Sequence, residues 1–145
     1  MSTTTVAHHE EHAEHPTGIM RWLTTTNHKD IGTMYLTFSL IMFFVGGAMI
    51  LGIRAELFQP GLQLVNPEFF NQLIGVHALI MIFAALMPAA TGFANWMIPL
   101  QIGARDMASG FLNMISYWLF FLSSVVMVIS LFVESGPASA GWTVY

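Results

Sequence analysis

A histidine and an asparagine stand inside one apolar stretch of this sequence, which reads GVHALIMIFAALMPAATGFANW over residues 75–96. His77 lies near its start and Asn95 near its end. Burying a polar or ionisable group in hydrocarbon costs free energy unless a ligand, a partner or a cavity satisfies it. The imidazole of His77 could ligate a metal such as a haem iron, relay protons, or form a hydrogen bond with a neighbouring helix. The residue pattern alone leaves these three roles open.

A helical wheel places further small and polar residues beside His77. At about 100° per residue, Ala84, Pro88, Thr91 and Asn95 fall within about 40° of it. The opposite side is bulky and lipid-like, with Leu79, Ile82, Leu86, Phe93 and Met97. A later apolar stretch repeats the pattern, with Asn113, Ser116, Ser123 and Ser130 on one stripe. The sequence therefore indicates a polar path in the interior, without fixing its purpose.

Other titratable residues allow both ordinary and functional interpretations. Arg54 could extend its charge from a helix end to the interface, and Asp106 could be a common loop acid. The amino-terminal HHEEHAEH, residues 8–15, could bind zinc or copper. A solvated, disordered tail is the favoured interpretation, because nothing nearby would bury or orient those imidazoles.

The elements that must position these residues are long apolar helices. Hydrophobic residues make up 55% of the chain and charged residues 8%. No charged residue lies in 31–53, 69–104 or 107–133, and about 20 apolar residues span a bilayer as a helix. We predict an all-α membrane protein with three transmembrane helices, at about 30–56, 68–100 and 111–133. Residues 1–22 form a polar His/Glu-rich tail, and residues 23–145 form one domain.

The same composition excludes several other classes of protein. The apolar stretches are too long, and alternate too little, for the strands of an outer-membrane barrel. The chain has no cysteine, which excludes disulfides and thiolate metal sites. Its net charge of −4 does not suggest a nucleic-acid partner.

Glycine, proline and the basic residues add expectations about packing and orientation. We expect Gly46, Gly47 and Gly52 to permit close approach of a neighbouring helix. The second helix should kink at Pro88 or end near Pro99. The basic residues that flank the helices, except Arg54, are Arg21, Lys29 and Arg105. By the positive-inside tendency they place the amino terminus in the cytoplasm.

Several motifs then carry a resemblance to a known family. They are TTNHKDIGTMY (25–35), IRAELFQPG (53–61), VHALIMIF (76–83), MPAATGFANWMIPLQIGARDM (87–107) and GWTVY (141–145). From Trp22 to Tyr145 the chain resembles the amino-terminal part of subunit I of bacterial aa3-type cytochrome c oxidases, which are haem-copper terminal oxidases. The resemblance implies the first three helices of a twelve-helix bundle, which should be inactive without the rest.

The resemblance implies roles for five residues around the outer half of the membrane. His77 is expected to be one axial ligand of the low-spin haem a, and Arg54 to donate a hydrogen bond to its formyl group. Trp142 is expected to reach a propionate of haem a3. Glu56, with the carbonyl of Gly61, resembles part of a calcium or sodium site. The ligands of haem a3 and copper would lie in helices beyond Tyr145.

On the inner side, the resemblance implies a proton pathway called the D-channel. Asp106 is expected to be its entrance, with the amides of Asn95 and Asn113 organising water. The sequence departs from the family pattern here, because Arg105 replaces a proline and Met114 replaces a second asparagine. These departures bear on proton pumping rather than on oxygen reduction.

The electron donor and the partners also follow from the resemblance. Quinol-oxidising relatives carry an arginine, an aspartate and a histidine where this chain has Val45, Met49 and Phe69, and only Gln72 remains of their quinol site. Cytochrome c is therefore the expected donor. The expected partners are the rest of subunit I, the copper-bearing subunit II, subunit III and the lipid of a bacterial inner membrane. The alternatives are a quinol oxidase, a haem-free channel or transporter bundle, and a structural piece that contributes no site.

Overall fold

The computed structural model describes residues 18–61, 63–134 and 136–137, and all regular structure within them is helical. A short helix precedes three long ones, and the second long helix contains an internal π-helical segment. The elements are α1 (Ile19–Thr24), α2 (His28–Glu56), α3 (Pro67–Leu79), the π segment (Ile80–Leu86), α4 (Met87–Gln101), α5 (Gly110–Ile129) and a closing 3₁₀ turn (Ser130–Phe132).

The prediction of three transmembrane helices is confirmed. The helices His28–Glu56, Pro67–Gln101 and Gly110–Phe132 are each long and apolar enough to cross a membrane. Their starts carry side-chain caps, because the first turn of a helix has backbone N–H groups without partners. Asn27 accepts from the N–H of Lys29 at 2.9 Å. Asn66 accepts from the N–H of Phe69 at 2.7 Å, and Pro67 follows as the first helical residue.

The second long helix departs from the regular α-helix on which the helical wheel was drawn. Within the π segment, the N–H of Met87 donates to the carbonyl of Ile82, five residues earlier. Pro88 follows directly and has no N–H to offer the carbonyl of Ala84. The wider turn changes the rotation per residue, so Asn95 is not simply five regular turns below His77. Pro99 lies inside α4, which ends two residues later at Gln101.

The core lies along one face of α2, which contacts both neighbouring long helices. Its buried residues recur every three or four positions from His28 to Glu56. The edge-to-face rings of Tyr35 and Tyr117, 5.0 Å apart, join α2 to α5. The indole of Trp118 donates to the carbonyl of Leu23 at 3.1 Å, which fixes α1 against α5.

The closest helix crossing lies at two glycines that the sequence analysis did not single out. A Cβ on Gly32 would lie 3.0 Å from the carbonyl oxygen of Gly92, and a Cβ on Gly92 would lie 3.0 Å from that of Gly32. Gly46, which we expected at a close contact, lies at one: a Cβ added to it would lie 2.5 Å from the Met81 sulfur. Among the described residues, Gly47 has nothing within 4 Å, and Gly52 meets only a leucine at 3.8 Å.

Replacing Gly32 with alanine should therefore loosen the crossing of α2 and α4. The added methyl group would meet a backbone oxygen, the indole of Trp96 at 2.8 Å and the Cβ of Asn95 at 3.2 Å. Overpacking of this kind costs about 1–3 kcal/mol. We expect a lower midpoint in detergent-induced unfolding, with the matched Gly47→Ala variant equal to wild type. An unchanged midpoint for Gly32→Ala would contradict the crossing.

Candidate functional site

The imidazole of His77 is half-buried and held by one hydrogen bond. Its Nδ1 lies 3.0 Å from the carbonyl oxygen of Gly46 on α2. A carbonyl oxygen only accepts, so Nδ1 must carry the proton. In the neutral tautomer Nε2 then keeps its lone pair, and no described residue forms a hydrogen bond with it. This is the state in which histidine ligates metals, with its other nitrogen fixed by a carbonyl.

The approach of the two helices makes this hydrogen bond possible. Gly46 is buried and has no side chain, so Met81 and Ile80 of the π segment pack directly on it. Ile80 is fully buried. His77 stands one turn earlier on the same helix, so this packing sets the distance between its imidazole and the Gly46 carbonyl.

The single free nitrogen of His77 suits a haem iron better than a metal ion that is bound by protein side chains alone. Among residues 18–61, 63–134 and 136–137, no three His, Cys, Asp or Glu side chains come together. A porphyrin supplies the in-plane ligands of its iron, so one imidazole from this chain satisfies one axial position. The residues present therefore fit a haem.

At the other end of the second long helix, the two asparagines meet. The Nδ2 of Asn113 donates to the Oδ1 of Asn95 at 2.6 Å, and the Nδ2 of Asn95 donates to the carbonyl of Thr91 at 3.0 Å. Asn95 is 2% exposed. The Nδ2 of Asn113 also lies 3.3 Å from the sulfur of Met107, the neighbour of Asp106. The structure thus brings Asp106, Asn113 and Asn95 to one end of the bundle.

The carboxylate of Asp106 is exposed to solvent at this end. Its Oδ1 accepts from the N–H of Met107 at 2.8 Å. Arg105 is also exposed, and the single ion pair within the described part of the chain joins Arg21 to Asp30. Asp106 is therefore open to water, and it forms no ion pair with the neighbouring Arg105.

His28 is a buried residue of this end that the sequence analysis missed as a site residue. It is 4% exposed, and its Nδ1 lies 2.9 Å from the carbonyl oxygen of Asn95. Its position between Asn27 and Lys29 suggested a solvated helix start. The helical spacing to the buried Ile31 and Tyr35 is the pattern that could have revealed it.

The predicted cation ligand Glu56 binds a loop of the chain itself. It is 2% exposed, and its carboxylate accepts from the N–H groups of Gln63 and Leu64, each at 2.7 Å, and of Val65 at 3.2 Å. Gly61 lies in this loop with φ +97°, a conformation that favours glycine. The carboxylate thus closes the connection between α2 and α3.

Replacing Glu56 with glutamine should loosen that connection. The amide keeps one acceptor oxygen and turns an NH₂ group toward backbone donors, so bonds to a charged acceptor, each worth about 1.5–3 kcal/mol, are lost. We expect faster amide hydrogen exchange at residues 63–65. The exposed Glu134, changed to glutamine, is the matched control. Exchange equal to wild type in Glu56→Gln would refute this role.

Two predicted haem contacts remain predictions. Arg54 is exposed and lines a groove of about 930 Å³ with Leu51 and Phe58 at the carboxyl-terminal end of α2. Within the described residues no carboxylate pairs with it. Trp142 and the histidine-rich residues 8–15 lie outside the described residues.

Comparison with known proteins places the chain in a family. Residues 30–145 match the family model described as Cytochrome C and Quinol oxidase polypeptide I. The chain is 48% identical over 127 residues to a probable cytochrome c oxidase subunit 1-alpha of Streptomyces coelicolor, covering 88% of this chain and 22% of that protein. It is 47% identical over 130 residues to cytochrome c oxidase subunit 1 of Corynebacterium diphtheriae, covering 88% and 23%.

A third relative joins two subunits in one chain. The heme-copper oxidase subunit I+III of Aeropyrum pernix is 43% identical over 127 residues, which cover 88% of this chain and 16% of that protein. The chain thus spans less than a quarter of the length of these relatives. With three membrane-spanning helices and this match, the chain is a multi-pass membrane protein that belongs to the cytochrome c and quinol oxidase polypeptide I family.

Proposed function

We propose that this chain forms the amino-terminal part of the catalytic subunit of a bacterial aa3-type cytochrome c oxidase. In the complete enzyme, electrons pass from cytochrome c through subunit II and the low-spin haem a to a haem a3–copper centre, which reduces oxygen to water. Protons are taken up and pumped during this reaction. The chain contributes one haem a ligand and the start of a proton pathway, and should be inactive alone.

The observation that carries this proposal is the hydrogen bond from His77 to Gly46. It fixes the proton on Nδ1, orients the ring and leaves Nε2 for the iron. When bound, the haem supplies reversible one-electron chemistry. The protein supplies the axial nitrogen and the apolar surroundings, which together tune the reduction potential.

The proton route uses the opposite end of the second long helix. Asp106 takes protons from the cytoplasm, and the bonded pair of Asn113 and the buried Asn95 orders the water that leads inward. This assignment requires a cytoplasmic amino terminus, which Arg21 and Lys29 favour through the positive-inside tendency. The exposure of Asp106 and the 2.6 Å bond between the amides support it.

Three further assignments complete the proposal. The guanidinium of Arg54 donates to the formyl group of haem a, which gives an outer-side cation a partner. Trp142 donates to a propionate of haem a3. Glu56 and the Gly61 carbonyl contribute to a calcium or sodium site, where the carboxylate would share its oxygens between the cation and the loop N–H groups.

Cytochrome c is the proposed electron donor, and quinol is the alternative. The family model covers both kinds of oxidase. Val45, Met49 and Phe69 cannot form the hydrogen bonds of a quinol site, and Gln72 is buried. The three relatives named above include two cytochrome c oxidases. A haem-free ion channel is the second alternative, and the absence of bound haem would favour it.

Turnover of the complete enzyme with each donor tests the proposal. The chain should be expressed with its genomic continuation and purified with its partner subunits. We expect oxygen uptake with reduced cytochrome c to exceed uptake with a reduced quinol at least about tenfold, equivalent to about 1.4 kcal/mol in transition-state stabilisation. Faster turnover with quinol would favour the quinol oxidase, and a preparation without haem would refute both.

A further inference from the structure

Ser39 forms an unusual hydrogen bond for a serine in a membrane helix. Hydroxyl groups in such helices commonly donate to a carbonyl of their own preceding turn, as Thr33 does to Lys29 at 2.8 Å. The hydroxyl of Ser39 instead crosses to the neighbouring helix and donates to the carbonyl of Ala85 at 2.6 Å. Ser39 is 6% exposed and Ala85 5% exposed, so water does not compete for this bond.

The acceptor lies where the backbone hydrogen bonds of the second long helix are irregular. Ala85 belongs to the π segment, in which the Met87 N–H reaches back five residues to Ile82. Pro88 follows and donates nothing. Pro88 deprives the neighbouring Ala84 carbonyl of its regular helical donor, and loss of backbone hydrogen bonds is costly in apolar surroundings. The bond from Ser39 to the adjacent Ala85 carbonyl adds a donor from α2 at this irregular point.

α2 therefore holds the π segment at both ends. Ser39 bonds the inner end, while Gly46, two turns further along the same buried face, packs on Met81 at the outer end. Gly46 also accepts the hydrogen bond of His77. A π turn contains one residue more than an α turn, so loss of the π turn would rotate the residues before it by about 100° relative to those after it.

We propose that Ser39 is a positioning residue for His77. By pinning the Ala85 carbonyl, it stabilises the π turn, and thereby the rotational position of His77 relative to α4. This inference rests on the proposed role of His77 as an axial ligand. Ser39 itself touches neither the metal nor the predicted proton pathway.

The test compares Ser39→Ala and Ser39→Thr in the complete oxidase with all its subunits. The electron paramagnetic resonance g-values of the oxidised low-spin haem report the orientation of its axial imidazole, and a redox titration reports its midpoint potential. We expect Ser39→Ala to shift both while the haem content stays that of wild type. Ser39→Thr keeps the hydroxyl and should restore both. Ser124→Ala, which removes a buried hydroxyl from α5, is the matched control and should shift neither.

The outcomes are distinguishable. Wild-type g-values and potential in Ser39→Ala would overturn the inference, and so would an equal shift in Ser39→Ala and Ser39→Thr, because packing rather than the hydroxyl would then be responsible. If Ser39→Ala does not assemble, Ser39→Cys, with similar volume and a weaker donor, is read by the same criteria. A low-spin signal that survives His77→Leu would instead refute the proposed function, whatever the Ser39 variants show.

Discussion

Replacing His77 with leucine is expected to lower oxygen uptake by the complete enzyme by more than about 100-fold. Loss of groups that merely support a metal ligand already costs about 10–100-fold, and His77 is proposed to be the ligand itself. Leucine has a similar bulk but no nitrogen to offer the iron. The bond from Nδ1 to Gly46 is also lost, although one bond of this kind contributes only about 0.5–1.5 kcal/mol to stability.

The variant should still assemble, because the helix crossing at Gly32 and Gly92 does not involve His77. Oxygen uptake would be measured with reduced cytochrome c and normalised to the amount of assembled subunit. Phe93→Leu is the control, since it changes an exposed apolar side chain of the same long helix. If His77→Leu retained the turnover of the control, the axial-ligand assignment would be wrong.

The second large effect is expected from Asp106→Asn. Asparagine keeps an acceptor for the Met107 N–H but cannot bind and release a proton. Proton-transfer groups commonly contribute about 10²–10⁴-fold to a rate. We expect proton uptake after a rapid mixing of the reduced enzyme with oxygen to slow by at least about tenfold, because water can partly bypass an exposed entrance.

Two further variants define this experiment. Glu68→Gln removes an exposed carboxylate at the start of α3 and should leave proton uptake unchanged. Asp106→Glu keeps a titratable carboxyl group and should recover most of the rate. Wild-type turnover and pumping in Asp106→Asn would show that protons enter elsewhere.

The sequence predicted the helices well, because membrane burial acts on composition. An uncharged stretch of this length, such as the one between Asp30 and Arg54, crosses a bilayer as a helix, because a helix satisfies its own backbone hydrogen bonds. The predicted bounds of 30–56 and 68–100 differ from the observed ones by at most two residues at any end. The caps at Asn27 and Asn66 follow from local chemistry, which a sequence displays directly.

The sequence did not predict how the helices meet. Gly32 and Gly92 make the close crossing of α2 and α4, whereas a Cβ on Gly47 would meet nothing within 4 Å among the described residues. Which glycine lies at a contact depends on which helix lies opposite, and a sequence does not display that. The π segment lies directly before Pro88, and the period of the hydrophobic residues does not reveal its wider turn. The helical wheel nevertheless placed His77 and Asn95 on one interior polar face. The imidazole of His77 bonds to Gly46 of α2, and the buried amide of Asn95 accepts from Asn113 of α5.

The candidate site was predicted in its residue types and only partly in its contacts. The meeting of Asn95 and Asn113 agrees with the expected polar path. His28 was overlooked because it stands beside Lys29 at the polar start of the first long helix, whereas the fold buries it. Glu56 was expected to bind a cation, and its contact with three loop N–H groups could not be foreseen, because the loop conformation is set by the turn at Gly61.

The most direct test of the account is a chemical rescue at His77. Reduced-minus-oxidised visible spectra would be recorded for the complete enzyme carrying His77→Gly, with and without added imidazole. We predict that the low-spin a-type band is absent in the variant and returns with imidazole, which occupies the space left by the side chain and ligates the iron. A low-spin band equal to wild type without imidazole would contradict the claim that His77 is the haem ligand.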